Sequence, residues 1–318
     1  AMKSGTTSLH VFLDRHPDVY IPDGEIFFFD IDDRAQHPDF HLGAESLPDF
    51  DRHTDRYLSW YLDHFEDAAP GQVIGEDSTT YLASHRAPSR ISEWLPDVRL
   101  IVLLRDPVAR CYSHYWHLVR TRRIGVGFRR ALESRYALVQ RSLYANQLGR
   151  YRDHFDEARI LVVFFEELLA RPDRTLRQIC DFLGVPAPGS GKLDLPAANR
   201  SRGYRSVRAA LRYNWLTRRF RRSRYLGRIP GLEGEETPSW VHRLDRLMTS
   251  LNSSSGGYPE MSGETERYLQ ALMRRENRGL AELVGRDPGR WWDWWREGDG
   301  PEPSRETHRV RGGGAYGR

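Results

Sequence analysis

The run Ala1-Met2-Lys3-Ser4-Gly5-Thr6-Thr7-Ser8-Leu9 opens the chain and is the stretch that best predicts its fold. A turn containing Lys3 and Gly5 leads directly into an amphipathic helical pattern over residues 9–13. The start of a helix presents unpaired backbone N–H groups and the positive end of the helix dipole. Gly5 permits close approach of the backbone, and Thr6 and Thr7 add hydroxyl donors. The stretch therefore predicts a site for one phosphate-like or sulfate-like anion.

The composition is typical of a globular protein with one large or two modest domains. The 318 residues are 39% hydrophobic and 29% charged, and no apolar run approaches the length of a membrane span. The formal net charge of +4 is too small to indicate a nucleic-acid partner for the chain as a whole. We predict neither a nucleic-acid partner nor a membrane span, and the oligomeric state stays open.

The sequence ahead of the opening turn is expected to be incomplete. A turn of this kind normally follows a hydrophobic strand, and no such strand precedes Ala1. No signal peptide is visible, which favours a cytoplasmic location. A missing first strand would, however, leave room for a missing targeting segment as well.

Two segments, residues 98–104 and 159–165, each contain a continuous apolar run and predict buried parallel strands. After the first run, Asp106 suits a helix N-cap and Pro107 suits the first helical position. Since strands alternate with helices along the chain, we predict an α/β fold in three layers, with helices flanking a central parallel sheet. Arg105 would then lie at the carboxyl end of a central strand, where open α/β sheets bind ligands.

An acidic residue, Glu25, precedes three consecutive phenylalanines in residues 25–30. One interpretation is a buried edge strand with solvated ends. The other is a carboxylate held against an apolar wall, an arrangement suited to proton transfer. The polar stretch that follows contains scattered acids and histidines, but their spacing matches no defined metal site, so we predict a solvated loop and no metal. These residues are Asp39, His41, Asp49, Asp51 and His53.

Arginines are concentrated in residues 198–228. A helix with an arginine-covered outer face would explain them, and so would a cationic lid over a polyanionic cofactor or an acidic acceptor. Aromatic residues between the arginines also leave nucleic-acid binding as a weak alternative. We treat about 198–263 as a possible lid. The cluster Trp291–Trp295 should pack onto the body of a domain spanning 1–295, and the polar, glycine-rich tail 296–318 should be disordered.

Three of these features resemble sulfotransferases that use 3′-phosphoadenosine 5′-phosphosulfate (PAPS), in particular the heparan-sulfate branch and its bacterial members. They are the opening loop, Glu25 ahead of the phenylalanines, and the run Arg105-Asp106-Pro107-Val108-Ala109-Arg110-Cys111-Tyr112-Ser113. The resemblance extends to about residue 295. It also includes Gly257-Tyr258-Pro259-Glu260-Met261, Glu276-Asn277 and Gly285-Arg286-Asp287.

The resemblance implies a P-loop-like fold, and it implies roles for the matching residues. In the family, the opening loop binds the 5′-phosphosulfate, which assigns that contact here to Lys3, Ser4, Gly5, Thr6 and Thr7. The 3′-phosphate ligands fall on Arg105 and Ser113, and an element that closes over the nucleotide falls near Arg202, Gly203 and Tyr204. Lys3 would stabilise the leaving group and Glu25 would be the general base for an acceptor hydroxyl, or less readily an amine. Family members need no metal.

The sequence departs from the family at positions on the acceptor side. Gly24 stands where a lysine often precedes the acid, Phe27 where many members have histidine, and Asp77 where glycosaminoglycan enzymes often have lysine. A small carbohydrate or a secondary metabolite is therefore as good an acceptor as a glycosaminoglycan, and the arginine-rich segment would allow an anionic one.

Two other functions fit parts of the sequence. A P-loop kinase or NTPase would place its lysine after the glycines and would need a Mg²⁺-binding acid, whereas Lys3 precedes Gly5 here. A non-catalytic nucleotide- or polyanion-binding protein would rest on the arginine cluster alone.

Overall fold

The computed structural model describes residues 1–40, 42, 44–134, 136–189 and 203–295. The helices of this part are α1 Thr6–Asp14, α2 Thr54–Asp63, α3 Ala87–Trp94, α4 Pro107–Arg120, α5 Phe128–Ser134, α6 Tyr136–Gln140, α7 Tyr144–Arg152, α8 Phe165–Ala170, α9 Pro172–Leu183, α10 Val207–Thr217, α11 Ser239–Asn252, α12 Gly263–Glu276 and α13 Leu280–Val284. Its strands are β1 Val19–Tyr20, β2 Ala44–Ser46, β3 Val73–Ile74, β4 Leu100–Leu104, β5 Ile160–Phe164, β6 Gly203–Tyr204, β7 Glu233–Gly234 and β8 Ser253–Ser254.

The two apolar runs form the centre of the fold as a parallel pair. β4 and β5 are paired in register from Leu100 opposite Ile160 to Leu104 opposite Phe164. β1 and β3 form a second parallel pair, while β2–β7 and β6–β8 are antiparallel. The parallel strands and their helical crossovers confirm the predicted α/β class.

Alternate side chains of the central pair enter different cores, which produces three layers. Leu103 and Val163 pack with α1, α8 and α9 on one face. Val102, Leu104 and Phe164 pack with α3 and α7 on the other face. Because both faces are covered, the runs can be apolar throughout. The tryptophan cluster adds to the second core, with Trp292 and Trp295 buried.

The segment that contains the phenylalanines is not a strand. Phe27 has a left-handed backbone with φ 63°, and a single 3₁₀ turn follows over Phe28–Asp30. The backbone N–H of Phe27 donates to the hydroxyl of Ser78 at 2.9 Å, and that of Phe29 donates to the hydroxyl of Tyr81 at 3.2 Å. Side-chain oxygens thus replace the partner strand that the edge-strand interpretation required.

The arginine-rich segment is helical in part. α10 and α11 contact each other, and β6 pairs with β8 just after α11. Asn252, the last residue of α11, accepts from the backbone N–H of Ser206 at 2.8 Å and donates to its carbonyl oxygen at 2.9 Å. Residues 190–202 and the tail 296–318 lie outside the described residues, so the predicted disordered tail stays a prediction, and so does the possible lid over about 198–263.

Within the described ranges, no helix combines the length and the apolar character needed to cross a bilayer.

Candidate active site

The opening loop packs tightly against the start of α8, the helix that follows β5. Gly5 precedes α1 with φ 87°, and Lys3 also has a left-handed backbone with φ 67°. A Cβ atom added to Gly5 would lie 2.5 Å from the ring of Phe165, the first residue of α8. Glycine is required here by both conformation and space. The first residues of α1, Thr6, Thr7 and Ser8, line a cleft.

Replacing Gly5 with alanine is expected to destabilise the protein more than the same change at Gly24. Both residues have positive φ, so each alanine costs about 1–2 kcal/mol of backbone strain. Gly24 has open space around it, with nothing within 4 Å of an added Cβ, whereas at Gly5 the Phe165 ring must also move. Urea unfolding of Gly5→Ala and Gly24→Ala measures the difference. Equal losses would show that the Phe165 contact is unimportant.

A cleft of about 960 Å³ contains most of the predicted cofactor and catalytic residues. Lys3, Gly5, Thr6 and Thr7 line it from the opening loop, and Glu25 lines it from the loop ahead of the phenylalanines. Arg105 and Ser113 line it from the end of β4 and from α4. Three segments that are distant in sequence therefore meet around one cleft.

Lys3 supplies a positive charge at the loop. Burial lowers the pKa of its ammonium group to about 8, and the neighbouring guanidinium groups of Arg120 and Arg105 act in the same direction. Arg105 also donates from Nη1 to the carbonyl oxygen of Lys3 at 3.2 Å. Cations that repel each other in this way are stabilised by a bound polyanion.

Ser4 differs from its neighbours. Its side chain is fully buried, it does not line the cleft, and its hydroxyl oxygen has no hydrogen-bond partner among the described residues. A cofactor contact from Ser4 could come from the backbone N–H, and the predicted role stays a prediction.

The turn that carries Arg105 is held from the far end of the chain. Asp106 caps α4 by accepting from the backbone N–H groups of Val108 and Ala109 at 2.8 and 3.0 Å. Trp294 donates from Nε1 to the other oxygen of Asp106 at 2.7 Å. The backbone N–H of Asp106 in turn donates to Glu166 at 2.9 Å. These bonds fix the direction in which Arg105 leaves the sheet.

Glu25 is half-buried at the cleft wall and is oriented by Thr79. The backbone N–H of Thr79 donates to Oε1 of Glu25 at 2.8 Å, and the hydroxyl of Thr79 donates to the same oxygen. The second oxygen has no hydrogen bond with the described residues, so it is available to an acceptor hydroxyl. A fixed carboxylate with one available oxygen is the geometry that general-base catalysis needs.

Glu76 stabilises the segment beside Glu25 through hydrogen bonds. It accepts from the hydroxyls of Ser78 and Tyr81, each at 2.9 Å, and Ser78 accepts from the backbone N–H of Phe27. Burial raises the pKa of Glu76 to about 7. The chain of bonds from Glu76 through Ser78 fixes the backbone just after Glu25.

A second carboxylate, Asp77, lines the cleft beside α1. Its Oδ1 lies 3.0 Å from Nδ1 of His10. Burial raises the pKa of Asp77 to about 6, a change that His10 opposes and the charge of Glu25 increases. Asp77 is therefore paired with a histidine at the cleft wall.

A buried histidine and aspartate form another pair at the cleft. Nε2 of His37 lies 2.9 Å from Oδ1 of Asp30, and both side chains are buried, at 5% and 0% exposed. His37 lines the cleft and its ring packs edge-on against Phe27 at 4.9 Å. With Nε2 held by Asp30, Nδ1 is left without a hydrogen bond to the described residues. The pair can hold one imidazole tautomer toward a bound ligand.

Two other histidines at the cleft are poor bases. Burial and the charge of Arg110 lower the pKa of His114 well below its usual range. Burial and the charge of Lys3 lower the pKa of His117 to about 3. A group that is neutral and so weakly basic accepts a proton inefficiently near neutral pH.

Arg141 is a buried cation at the same cleft. Its side chain is 5% exposed, and it donates to the carbonyl oxygen of Gln36 at 2.6 Å and contacts the sulfur of Met2 at 3.0 Å. Its buried Nε has no hydrogen-bond partner among the described residues. Burial, then the charge of Arg110, lowers its pKa to about 10, so it stays protonated at neutral pH.

The predicted closing element lies beside this cleft instead of within it. Arg202 falls outside the described residues, while Gly203 and Tyr204 line an adjacent cavity of about 200 Å³. Arg120 borders both cavities. Of the arginine-rich segment, Arg224 and Tyr225 line the main cleft. The predicted contact of residues 202–204 with a nucleotide stays a prediction.

Sequence reasoning missed several residues of the cleft, which are His10, His37 and Arg141, and it missed the bond from His37 to the buried Asp30. The polar run of residues 78–81 indicates a ligand site, but no local signal connects Thr79 to Glu25, which lies 54 residues away. Asp30 and His37 are seven residues apart and were detectable in principle. The pair was not predicted, because His37 lies in a polar stretch that was expected to be a solvated loop.

A sequence profile described as the sulfotransferase family matches residues 1–189, and the chain belongs to this family. The heparan sulfate glucosamine 3-O-sulfotransferase 3B1 of Mus musculus is 28% identical over 305 residues, which are 92% of this chain and 63% of that protein. The bifunctional heparan sulfate N-deacetylase/N-sulfotransferase 2 of Homo sapiens is 26% identical over 314 residues, 93% of this chain and 30% of that protein. The chain thus spans less than two thirds of these curated relatives.

The fold has a counterpart among solved structures. The crystal structure of a sulfotransferase from Alicyclobacillus acidocaldarius superposes with a TM-score of 0.61 and 25% identity, covering 92% of this chain and 96% of that one. The predicted three-layer, P-loop-like α/β fold is confirmed, and it is the fold of a sulfotransferase structure.

Proposed function

We propose that the protein transfers a sulfuryl group from PAPS to a hydroxyl group of a carbohydrate or secondary-metabolite acceptor. The observation that carries the proposal is the convergence of Lys3, Glu25 and Arg105 on one cleft. A loop at a helix N-terminus can bind the phosphosulfate, and a guanidinium group can bind a second phosphate. A carboxylate can accept the proton of the acceptor. An amine is a less suitable acceptor, because its protonated form has no lone pair.

In the proposed reaction, the acceptor oxygen attacks sulfur in line while the bond from sulfur to the bridging phosphate oxygen breaks. Glu25 takes the hydroxyl proton through the oxygen that Thr79 does not engage. Lys3 neutralises the charge that appears on the bridging oxygen. As in phosphoryl transfer, positioning and charge stabilisation supply most of the rate enhancement.

The cleft has a separate set of groups for each phosphorylated end of the nucleotide. The N–H groups of α1 and the ammonium of Lys3 would hold the 5′-phosphosulfate, with Thr6 and Thr7 beside them. The guanidinium of Arg105 and the hydroxyl of Ser113 would hold the 3′-phosphate, because both line the same cleft from the next strand–helix unit. A nucleotide with phosphate groups at both ends matches this arrangement better than a linear triphosphate.

On the acceptor side, the cleft offers both signs of charge. Glu25 and Asp77 are acidic, while Arg141 and Arg224 are basic. His37 would orient an acceptor hydroxyl beside Glu25 through its Nδ1. These groups suit a polyhydroxylated acceptor such as a sugar, and the relatives named for heparan sulfate support a carbohydrate. An anionic group on the acceptor would be placed near Arg141 or Arg224.

Calorimetric titration tests the nucleotide. The desulfated product, 3′-phosphoadenosine 5′-phosphate, is expected to bind without Mg²⁺, and ATP with Mg²⁺ is expected to bind far more weakly. Arg105→Ala should weaken the first interaction by about 10- to 100-fold, the effect of removing a charge-assisted hydrogen bond. Arg99→Ala is the matched control, since Arg99 is exposed near the opposite end of β4.

The titration also separates the alternatives. Binding of ATP with Mg²⁺ in preference to the 3′,5′-bisphosphate would identify a kinase or NTPase. Binding of the bisphosphate without any transfer activity toward sugars or phenols would support a non-catalytic nucleotide-binding protein.

A further inference from the structure

Helix α11 exposes a stripe of large apolar side chains. Trp240, Leu244, Leu247 and Leu251 are 40%, 39%, 53% and 60% exposed. Their spacing of four, three and four residues places them on one side of the helix, over a length of about 16 Å. A contiguous apolar stripe of this size on an exposed helix indicates a binding surface, whereas single exposed leucines do not.

The stripe is displayed on a helix that is fixed to the body of the protein. Val241, on the inner side of α11, is fully buried. Asp245 accepts from Arg221 at 2.8 and 2.9 Å and forms an ion pair with Arg122 at 2.8 Å. Within the stripe, the ring of Trp240 packs edge-on against Phe220 at 4.8 Å between centroids. The helix is thus held in place mainly by Val241 and Asp245, and the three leucines of the stripe stay exposed in the folded protein.

The segment of chain that contains the stripe is strongly basic. Residues 203–252 contain eleven arginines and four acidic residues, a net charge of +7, compared with +4 for the whole chain. Arg243 and Arg246 lie on α11 beside the stripe and are exposed. Neither forms an ion pair with the described residues, and the same holds for the exposed Arg208 and Arg212 on α10. We refer to the four apolar residues with Arg243 and Arg246 as the α11 surface.

We propose that the α11 surface docks onto an anionic lipid membrane. A helix with Trp and Leu on one side and arginines beside them is suited to lie in the membrane interface, with its apolar side among the acyl chains and its guanidinium groups on phosphate headgroups. A second copy of the chain is a poorer occupant, because a two-fold contact would place one arginine-rich surface against another. The membrane supplies both the apolar layer and the negative charge.

Vesicle sedimentation of the whole protein tests the proposal. The protein is expected to sediment with vesicles of phosphatidylcholine mixed with phosphatidylglycerol, to bind vesicles of phosphatidylcholine alone at least about tenfold more weakly, and to be released by salt. The double variant Leu247→Glu/Leu251→Glu and the double variant Arg243→Glu/Arg246→Glu should each lower the partition constant about tenfold or more.

The control variant is Leu62→Glu, which introduces a glutamate at a leucine on α2 that is 55% exposed. It should leave vesicle binding unchanged. All variants are expected to fold, because the substituted side chains are exposed, and thermal unfolding checks this.

Three results would overturn the proposal. One is failure of the wild-type protein to bind the phosphatidylglycerol vesicles. Another is binding that both double variants retain. The third is a dimer in analytical ultracentrifugation that Leu247→Glu/Leu251→Glu dissociates, since the stripe would then be an interface between copies. Nucleotide binding does not enter this test, so its outcome is independent of the proposed sulfuryl transfer.

Discussion

Replacing Lys3 with alanine is expected to lower the turnover number for sulfuryl transfer about 1000-fold, while the affinity for 3′-phosphoadenosine 5′-phosphate falls much less. The asymmetry follows from where the charge appears. Lys3 lies at the loop that would hold the phosphosulfate, and negative charge builds on the bridging oxygen only as sulfur departs, so the ammonium stabilises the transition state more than the bound nucleotide. Single-turnover kinetics with PAPS, together with calorimetry of the desulfated nucleotide, measures the two effects separately.

Lys3→Arg is the matched variant for this experiment. It keeps a positive charge but replaces a compact ammonium with a planar guanidinium, whose charge is spread over a larger group and is not placed at the same point. Activity should stay well below that of the wild type. Full activity in either variant would show that Lys3 does not contact the leaving group.

The wild-type protein should also show a pH dependence that Lys3→Ala lacks. Burial and the neighbouring arginines lower the pKa of Lys3 to about 8 in the free protein, and a bound polyanion would favour the protonated form. Affinity for the desulfated nucleotide is therefore at its maximum below pH 8, where Lys3 is protonated in the free protein, and it decreases as the pH rises through 8. Titrations at a series of pH values should show this decrease in the wild type only.

Replacing Glu25 with glutamine is expected to reduce turnover by about 100- to 10,000-fold, the range for loss of a general base. Nucleotide affinity should be unchanged, because Glu25 lies on the acceptor side and its carboxylate is bound by Thr79. The amide cannot take a proton from the acceptor hydroxyl, although it is close to the carboxylate in size. Steady-state rates with a saturating nucleotide and a sugar acceptor provide the measurement.

Asp23→Asn provides the control for Glu25→Gln. It makes the same change from carboxylate to amide two residues away, at an exposed position, and should leave turnover unchanged. If Glu25→Gln is fully active, the base must be another group. His37 is then the first to test, because the pKa values of His114 and His117 are lowered by burial and by neighbouring cations.

Much of the cofactor side could be predicted because its determinants are local. Lys3, Gly5 and the start of α1 are neighbours in sequence, and their conformation depends on glycine and on the helix that follows. Arg105 follows a continuous apolar strand, so its place at the sheet edge could be read from the pattern of the chain. What the local pattern did not contain was Phe165, the ring that makes Gly5 necessary.

The acceptor side could not be predicted to the same extent, because its contacts join distant residues. The Glu25 region was compatible with an edge strand until Ser78 and Tyr81 were seen to satisfy its backbone N–H groups. His37 lies in a stretch that looks solvated, yet it is buried and bound to Asp30. Hydropathy patterns describe average exposure along a segment, and they do not report which polar groups find partners inside it.

The sequence by itself determined the α/β class, the anion-binding turn, and the order of lysine, acid and arginine along the chain. These depend on local backbone preferences and on continuous apolar runs, which act over a few residues. Only the tertiary structure decided that Thr79 holds Glu25, that Trp294 holds the turn of Arg105, and that the stripe on α11 is left uncovered. Each of these follows from packing between segments tens to hundreds of residues apart, where the burial of one segment sets the hydrogen bonds and exposure of another.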